Sequence, residues 1–190
     1  MHAGERFAKR ADVVQTLLVI DPEDREFALA NFGADAARLG IEFVDGGAER
    51  YDSVMRALAC VRSDVDFVAV HDAARPCITE ALIDAVFAAA AETGAAILAT
   101  PVTSTLKRGL GRIIAETVPR EDLWEAQTPQ VFTRALLVEA YARRGEEAAT
   151  DDAQLVEWIG GKITIVPGSA MNIKITRQED LRVAGGVLEG

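Results

Sequence analysis

The chain is poor in the residues that staple a fold, ligate soft metals or cross a membrane. Its 190 residues include two cysteines, Cys60 and Cys77, and two histidines, His2 and His71. The cysteines form no CxxC pair, so neither a disulfide framework nor a zinc site is expected. Two histidines cannot build a His-rich centre, and a metal here would be a hard cation on oxygen ligands, such as Mg²⁺. No apolar run approaches the roughly 18 residues of a membrane span. The start, Met1-His2-Ala3-Gly4-Glu5-Arg6, has no apolar signal-peptide core. Basic side chains are outnumbered, 20 against 30 acidic, for a formal net charge of −10. Polyanion binding needs clustered Lys and Arg, so a nucleic-acid-coating protein is excluded. A small anion held by a few local cations is not. Repeats, low-complexity tracts and polar linkers are also missing. The expectation is one domain over residues 1–190, with enough core to fold alone, in a reducing cytoplasm.

What is present is an alternation. Residues 15–20 (QTLLVI) are a short apolar run stopped by Asp21-Pro22, and 41–44, 67–70 (FVAV), 95–99 and 162–166 read as further strands. The FVAV run is as apolar as a parallel strand buried on both faces. Helical spacing covers 22–32 with Gly33 as its stop, 49–61, 80–92 between Thr79 and Gly94, 133–144, 151–158, and a last helix opening on Gln178-Glu179-Asp180. Strands alternating with such helices predict an α/β fold: a Rossmann-like, mostly parallel sheet with helices on both faces. Residues 102–120 have a turn-like, alternating pattern with Gly109 and Gly111. They read as a protruding β-arm, too small to be stable alone, and so expected to pack on a second subunit.

Ligands of such sheets lie at the carboxyl ends of the strands. After 41–44 stand Gly46 and Gly47, followed by Ser53. The glycines make either a tight turn or a backbone that lets a ligand come close. After 67–70 stands His71-Asp72-Ala73-Ala74-Arg75-Pro76. Three ionisable groups at an apolar strand end are costly unless they pair or bind something, which leaves a structural Asp–Arg pair and a site as the two readings. A Ser-His-Asp hydrolase is disfavoured, because adjacent His71 and Asp72 cannot orient each other and no GxSxG elbow exists. Residues 123–132 read as a loop rich in neutral donors and acceptors. Thr150 reads as an N-cap with Asp151 and Asp152 in the first turn behind it. Lys174 lies between Ile173 and Ile175, and with Arg75, Lys107 and Arg120 it would counter an anion inside an acidic protein.

The segments GGAERYDSV, HDAARP, PVTSTLKR, REDLW, AQTPQVF, TDDAQLVE and GSAMNIKIT occur in this order. In that order they resemble the 2-C-methyl-D-erythritol 4-phosphate cytidylyltransferases of the non-mevalonate isoprenoid pathway, over nearly the whole chain. The ribitol-5-phosphate cytidylyltransferases share much of the pattern. The resemblance implies a transferase in which the phosphate of methylerythritol phosphate attacks the α-phosphorus of CTP and releases pyrophosphate, with Mg²⁺ as cofactor. Such chemistry needs positioning and charge neutralisation rather than a covalent nucleophile. It further implies that Arg120 and Lys174 orient the attacking phosphate, and that Asp72, Arg75, Thr105, Thr128 and Thr150 line the substrate pocket. Asp72 would hold substrate hydroxyls or lie near the metal. Gly46, Gly47 and Ser53 would line the cytidine base and ribose. The arm would carry Arg120 and Thr105 into the neighbouring site of a homodimer. Ser104 departs from the Asp that many members have there.

The family also opens with a strand and a Gly-rich loop that carries an Arg and, further on, a Pro-Lys pair. These residues have no counterpart in this sequence, and His2–Phe7 (HAGERF) resembles the helix that follows that loop. A doubly wound sheet without its first, central strand is expected to hold a strand-wide gap lined with apolar side chains. Two expectations follow: a longer polypeptide than the sequence given, or a remodelled homologue that binds a nucleotide or sugar phosphate without turnover.

Overall fold

A computed structural model describes residues 2–145 and 147–189. In chain order the elements are α1 (His2–Ala8), β1 (Thr16–Ile20), α2 (Arg25–Leu39), β2 (Ile41–Asp45), α3 (Arg50–Cys60), β3 (Phe67–Val70), α4 (Glu80–Thr93), β4 (Ala95–Pro101), β5 (Leu106–Leu110), β6 (Ile113–Val118), β7 (Trp124–Thr133), α5 (Arg134–Arg143), α6 (Asp152–Trp158), β8 (Thr164–Pro167) and α7 (Gln178–Glu189). The expected α/β architecture is there. The main sheet has the order β3-β7-β4-β8, with β4 and β8 parallel and β7 antiparallel to both β3 and β4. β3, β4 and β8 therefore run the same way.

The period-2 alternation of β4 gives the sheet a core on each face. Ala95 and Ile97 pack with Phe132, Leu137, Tyr141, Leu155 and Val156 beneath α5 and α6. Ala96 and Leu98 point the other way, onto Ile83, Val86 and Ala90 of α4, with Phe7 of α1 and Val166 of β8. Helices thus cover both faces.

Four readings of the sequence change. The FVAV run, read as a parallel strand buried on both faces, has Phe67 37% exposed and pairs antiparallel with β7. The helix expected to stop at Gly33 runs on to Leu39, and Gly40 closes it in the left-handed region at φ 68°. One interior glycine costs about 1 kcal/mol, and the alanines around Gly33 outweigh it. Residues 123–132, read as a loop, form most of β7, the long strand between β3 and β4. Its polar side chains Gln127, Thr128 and Gln130 are buried and internally bonded. Pro129 falls where the β4 register shifts between Ile97 and Ala99, so no ladder donor is needed from it. The cap of α6 is Asp151, which accepts from the Gln154 N–H, rather than Thr150.

The sheet is interrupted. Among the described residues β1 pairs with β2 alone, in a separate parallel pair, and β3 pairs with β7 alone. Between them lies a cavity of about 730 Å³ lined by Phe7, Leu17, Val19, Val54, Val68 and Val70 among others. This is the apolar gap expected from the sequence. β5 and β6 form a separate antiparallel hairpin, the arm, with Leu110 76%, Ile113 75% and Ile114 63% exposed. Among the described residues no helix is long and apolar enough to cross a membrane.

Candidate active site

The carboxyl ends of β2, β3 and β8 converge on a second, smaller cavity of about 210 Å³, lined by Arg50, Asp72, Arg75, Gln127, Thr128, Gln130, Thr150, Asp151 and Lys174. Asp72 is its electrostatic centre. Lys174 Nζ lies 3.0 Å from one carboxylate oxygen, Arg75 Nε 3.5 Å from the same oxygen, and Arg50 Nε 3.7 Å from the other. Burial opposes ionisation of Asp72. The Lys174 hydrogen bond and charge, with Arg50 and Arg75, outweigh it and hold the carboxyl below its usual range.

The chain builds this cluster from distant segments by short backbone links. Arg75 N–H donates to the Asp72 carbonyl (2.9 Å), closing a turn after β3. Ile175 N–H donates to the Ala74 carbonyl (2.8 Å), and Arg75 Nη1 to the Asn172 carbonyl (2.8 Å), tying the segment after β8 to that turn. Asn172, fully buried, donates to Gln127 Oε1 and the Thr128 carbonyl on β7. Lys174 is thereby delivered opposite Asp72 while its side chain stays 43% exposed. Arg75 is different. Its side chain is only 12% exposed and two of its nitrogens go to backbone carbonyls, so it braces the site more than it faces it. Burial chiefly lowers its pKa.

Arg50 and Asp152 received no role from the sequence. Asp152 is wholly buried; it accepts from Arg50 Nη2 at 2.6 Å and from the Tyr141 hydroxyl at 2.5 Å. Burial alone would lower the Arg50 pKa, but Asp152 and Asp72 more than compensate and raise it. Burial, then the Asp152 charge, pushes the Tyr141 phenol up. Arg50 is therefore a guanidinium clamped from below with one edge turned to Asp72. Its only sequence signal was its place at the start of a helix after a Gly-Gly turn. Asp152 was hidden among residues that read as ordinary acidic first-turn positions.

Gly46, Gly47 and Ser53 lie together on the neighbouring rim. Ser53 Oγ accepts from the Gly47 N–H (3.0 Å) and donates to the Glu49 carbonyl (3.1 Å). A Cβ at Gly47 would sit 2.4 Å from Asp52 Cβ, and one at Gly46 would meet Ser53 Oγ at 2.9 Å and the Ile20 carbonyl at 3.1 Å. The tight turn thus requires both glycines, and Arg50 joins this rim to the Asp72 pocket. Ser53 and Arg50 also line the larger cavity. Thr150 borders the pocket, its backbone N–H donating to Gln154 Oε1 at 2.7 Å. Arg120 and Thr105 are not brought in. Arg120 Nη1 donates to the Thr103 carbonyl at the base of the arm, and Thr105 is exposed there.

A metal-ligand role for Asp72 does not fit this setting. Its two oxygens face three cations. The nearby Asp151 is already engaged by Gln130 Nε2 and the Gln154 N–H. Among the described residues, no three His, Cys, Asp or Glu side chains group to hold a metal ion by themselves.

Cationic side chains gathered at strand ends, beside a Gly-Gly turn, are an arrangement for a phosphorylated ligand. Known proteins point the same way. Residues 1–190 match the family described as 2-C-methyl-D-erythritol 4-phosphate cytidylyltransferase. A protein of that name from Rhodopirellula baltica is 45% identical over 98% of this chain and 81% of its own length. The bifunctional enzyme IspD/IspF of Desulfotalea psychrophila is 43% identical over 99% of this chain, which spans 48% of that relative. The crystal structure of the 2-C-methyl-D-erythritol 4-phosphate cytidylyltransferase of Thermus thermophilus superposes with a TM-score of 0.85 at 36% identity, covering 100% of this chain and 90% of that one. The motifs, the strand-end pocket and these likenesses agree, and the chain belongs to the 2-C-methyl-D-erythritol 4-phosphate cytidylyltransferase family.

Proposed function

We propose that this chain transfers CMP from CTP to 2-C-methyl-D-erythritol 4-phosphate and releases pyrophosphate, as an enzyme of isoprenoid precursor biosynthesis. The observation that carries the reading is the convergence of Arg50, Arg75 and Lys174 on one strand-end pocket in a member of this family. Lys174, the most exposed of the three, exchanges Asp72 for the incoming phosphate and aims an oxygen at the α-phosphorus of CTP. Arg50 and Arg75 keep that phosphate in a positive field, and Asp72, once released, accepts from substrate hydroxyls. Thr128 and Thr150 border the polyol, and the turn of Gly46, Gly47 and Ser53 takes the base and ribose. Mg²⁺ in this reading would arrive with CTP and would neutralise phosphate charge, and Asp72 would not hold it. The chain acts as a cytoplasmic homodimer, with the exposed apolar tip of the arm on the second subunit and Arg120 and Thr105 completing that subunit's site.

The test is pyrophosphate release with CTP, Mg²⁺ and methylerythritol phosphate, beside ribitol phosphate. Release that requires methylerythritol phosphate supports the proposal, and release with ribitol phosphate alone reassigns the substrate. CTP binding without release, from folded protein, identifies a non-catalytic homologue and refutes it.

A further inference from the structure

His71 opens the turn that holds Asp72 and Arg75, yet it does not line the phosphate pocket. Its ring packs at 5.1 Å between centroids against Phe7. Its two nitrogens have different partners. Nε2 lies 3.1 Å from the Arg75 carbonyl oxygen, and Nδ1 lies 3.1 Å from Thr128 Oγ1. Thr128 Oγ1 in turn accepts from the Asp72 backbone N–H at 3.0 Å.

Proton counting fixes every direction in this chain of bonds. A carbonyl oxygen can only accept, so Nε2 must carry the hydrogen. A neutral imidazole has one N–H, so Nδ1 is a bare acceptor, and the Thr128 hydroxyl must donate to it. The order is Asp72 N–H to Thr128 Oγ1, Thr128 O–H to His71 Nδ1, and His71 Nε2–H to the Arg75 carbonyl. A hydroxyl oxygen has one hydrogen and two lone pairs. The hydrogen of Thr128 is committed to His71 and one lone pair to Asp72. What remains for the pocket is a single lone pair.

We propose that His71 is a positioning residue that makes Thr128 an acceptor only, so that Thr128 selects a substrate hydroxyl and turns away groups that can only accept, such as a carbonyl or a phosphate oxygen. The same ring spans the Asp72–Arg75 turn from both ends and so holds the Asp72 carboxylate at its angle to Lys174. This rests on the reading of the pocket as a polyol phosphate site and adds the polarity of one contact within it. A substrate with a hydroxyl at that place satisfies Thr128. Its keto analogue would leave two acceptors facing each other in a confined site.

The first test needs no turnover and therefore stands apart from the proposed activity. Long-range proton–nitrogen NMR at pH 7 reports which ring nitrogen is protonated. There are two histidines, and the His2→Gln variant leaves His71 as the sole signal. A neutral ring protonated at Nε2 is expected. A ring protonated at Nδ1, or at both nitrogens, overturns the proposal. The second test compares Thr128→Val and His71→Phe with the wild type, using the polyol phosphate and its keto analogue in binding titrations, with CTP as the control. Thr128→Val removes the lone pair, and the preference for the hydroxyl compound should fall about tenfold, the effect of one hydrogen bond. His71→Phe removes the Nδ1 acceptor and frees the Thr128 proton, and the keto analogue should gain affinity relative to the wild type while CTP affinity stays within about twofold. A role in stability alone would weaken both polyol compounds and CTP together, and that pattern refutes the proposal.

Discussion

Acidification should weaken this fold through His71 before it touches the carboxylates. Burial, the largest influence, lowers the His71 pKa from 6.5 to about 4. The unfolded chain takes up a proton near the ordinary value, and the folded chain only near the lower one. Between them the unfolded state holds more protons, so stability falls as the pH falls. One pKa unit is worth about 1.4 kcal/mol. From pH 7 to pH 5 the loss from this residue is about 2 kcal/mol, and at pH 4 it reaches about 3 kcal/mol. Asp72 does not contribute to that window. Its depressed pKa lends stability that is present above the ordinary carboxylate value of 3.8 and is lost only below it. The assay is urea unfolding of the wild type and of His71→Asn at both pH values, read as midpoint and slope. The variant has no ring to titrate and should lose about 2 kcal/mol less over the same drop. Equal losses in the two proteins would mean that the folded state protonates His71 as readily as the unfolded one, and the buried, hydrogen-bonded ring described above would be wrong.

Lys174→Ala should reduce kcat/KM for the polyol phosphate by a factor equivalent to about 2–4 kcal/mol, and unchanged steady-state kinetics would remove this lysine from the mechanism. Asp152→Asn should destabilise the protein by about 3 kcal/mol, because it leaves the Arg50 guanidinium half-buried with only the more distant Asp72 carboxylate to answer its charge, and denaturant titration showing a loss below about 1 kcal/mol would contradict that geometry. Gly47→Ala must displace Asp52 to make room for a methyl group, so the turn before α3 should shift and CTP affinity should drop in calorimetric titration while inorganic phosphate still binds at Lys174. Mixing Arg120→Ala with Lys174→Ala subunits should restore part of the activity that each lacks alone, since one mixed site keeps both residues; no recovery in a subunit-exchange assay would confine Arg120 to its own chain.

Sequence patterns disclosed the local parts of this molecule and hid the long-range ones. FVAV, Thr79 and Gly94 gave β3 and both ends of α4, since an apolar run, a hydroxyl cap and a left-handed glycine each act over a few residues. β7 was unreadable for the opposite reason. Gln127, Thr128 and Gln130 look solvated in a linear chain, and only the arrival of Asn172, Asp151 and Asp72 from elsewhere makes them fit a buried strand. In the site, Asp72 and Lys174 stood out as charges in apolar surroundings. Arg50 and Asp152 did not, because a buried ion pair between residues 102 positions apart leaves no local pattern. Arg75 was legible as important but not in its role, which is set by carbonyls on two other segments.

The interruption between β1 and β3 has a further consequence for cooperativity. In a continuous sheet a backbone ladder hydrogen-bonds each strand to the next. Here the β1–β2 pair is joined to the main sheet without such a ladder, and Arg50, reaching from α3 to Asp152 and Asp72, is a polar rivet between the two. Gly46, Gly47 and Ser53 stand on the β1–β2 side of the interruption, whereas Asp72, Thr128 and Lys174 stand on the main-sheet side. A ligand touching both sets adds a brace across the interruption.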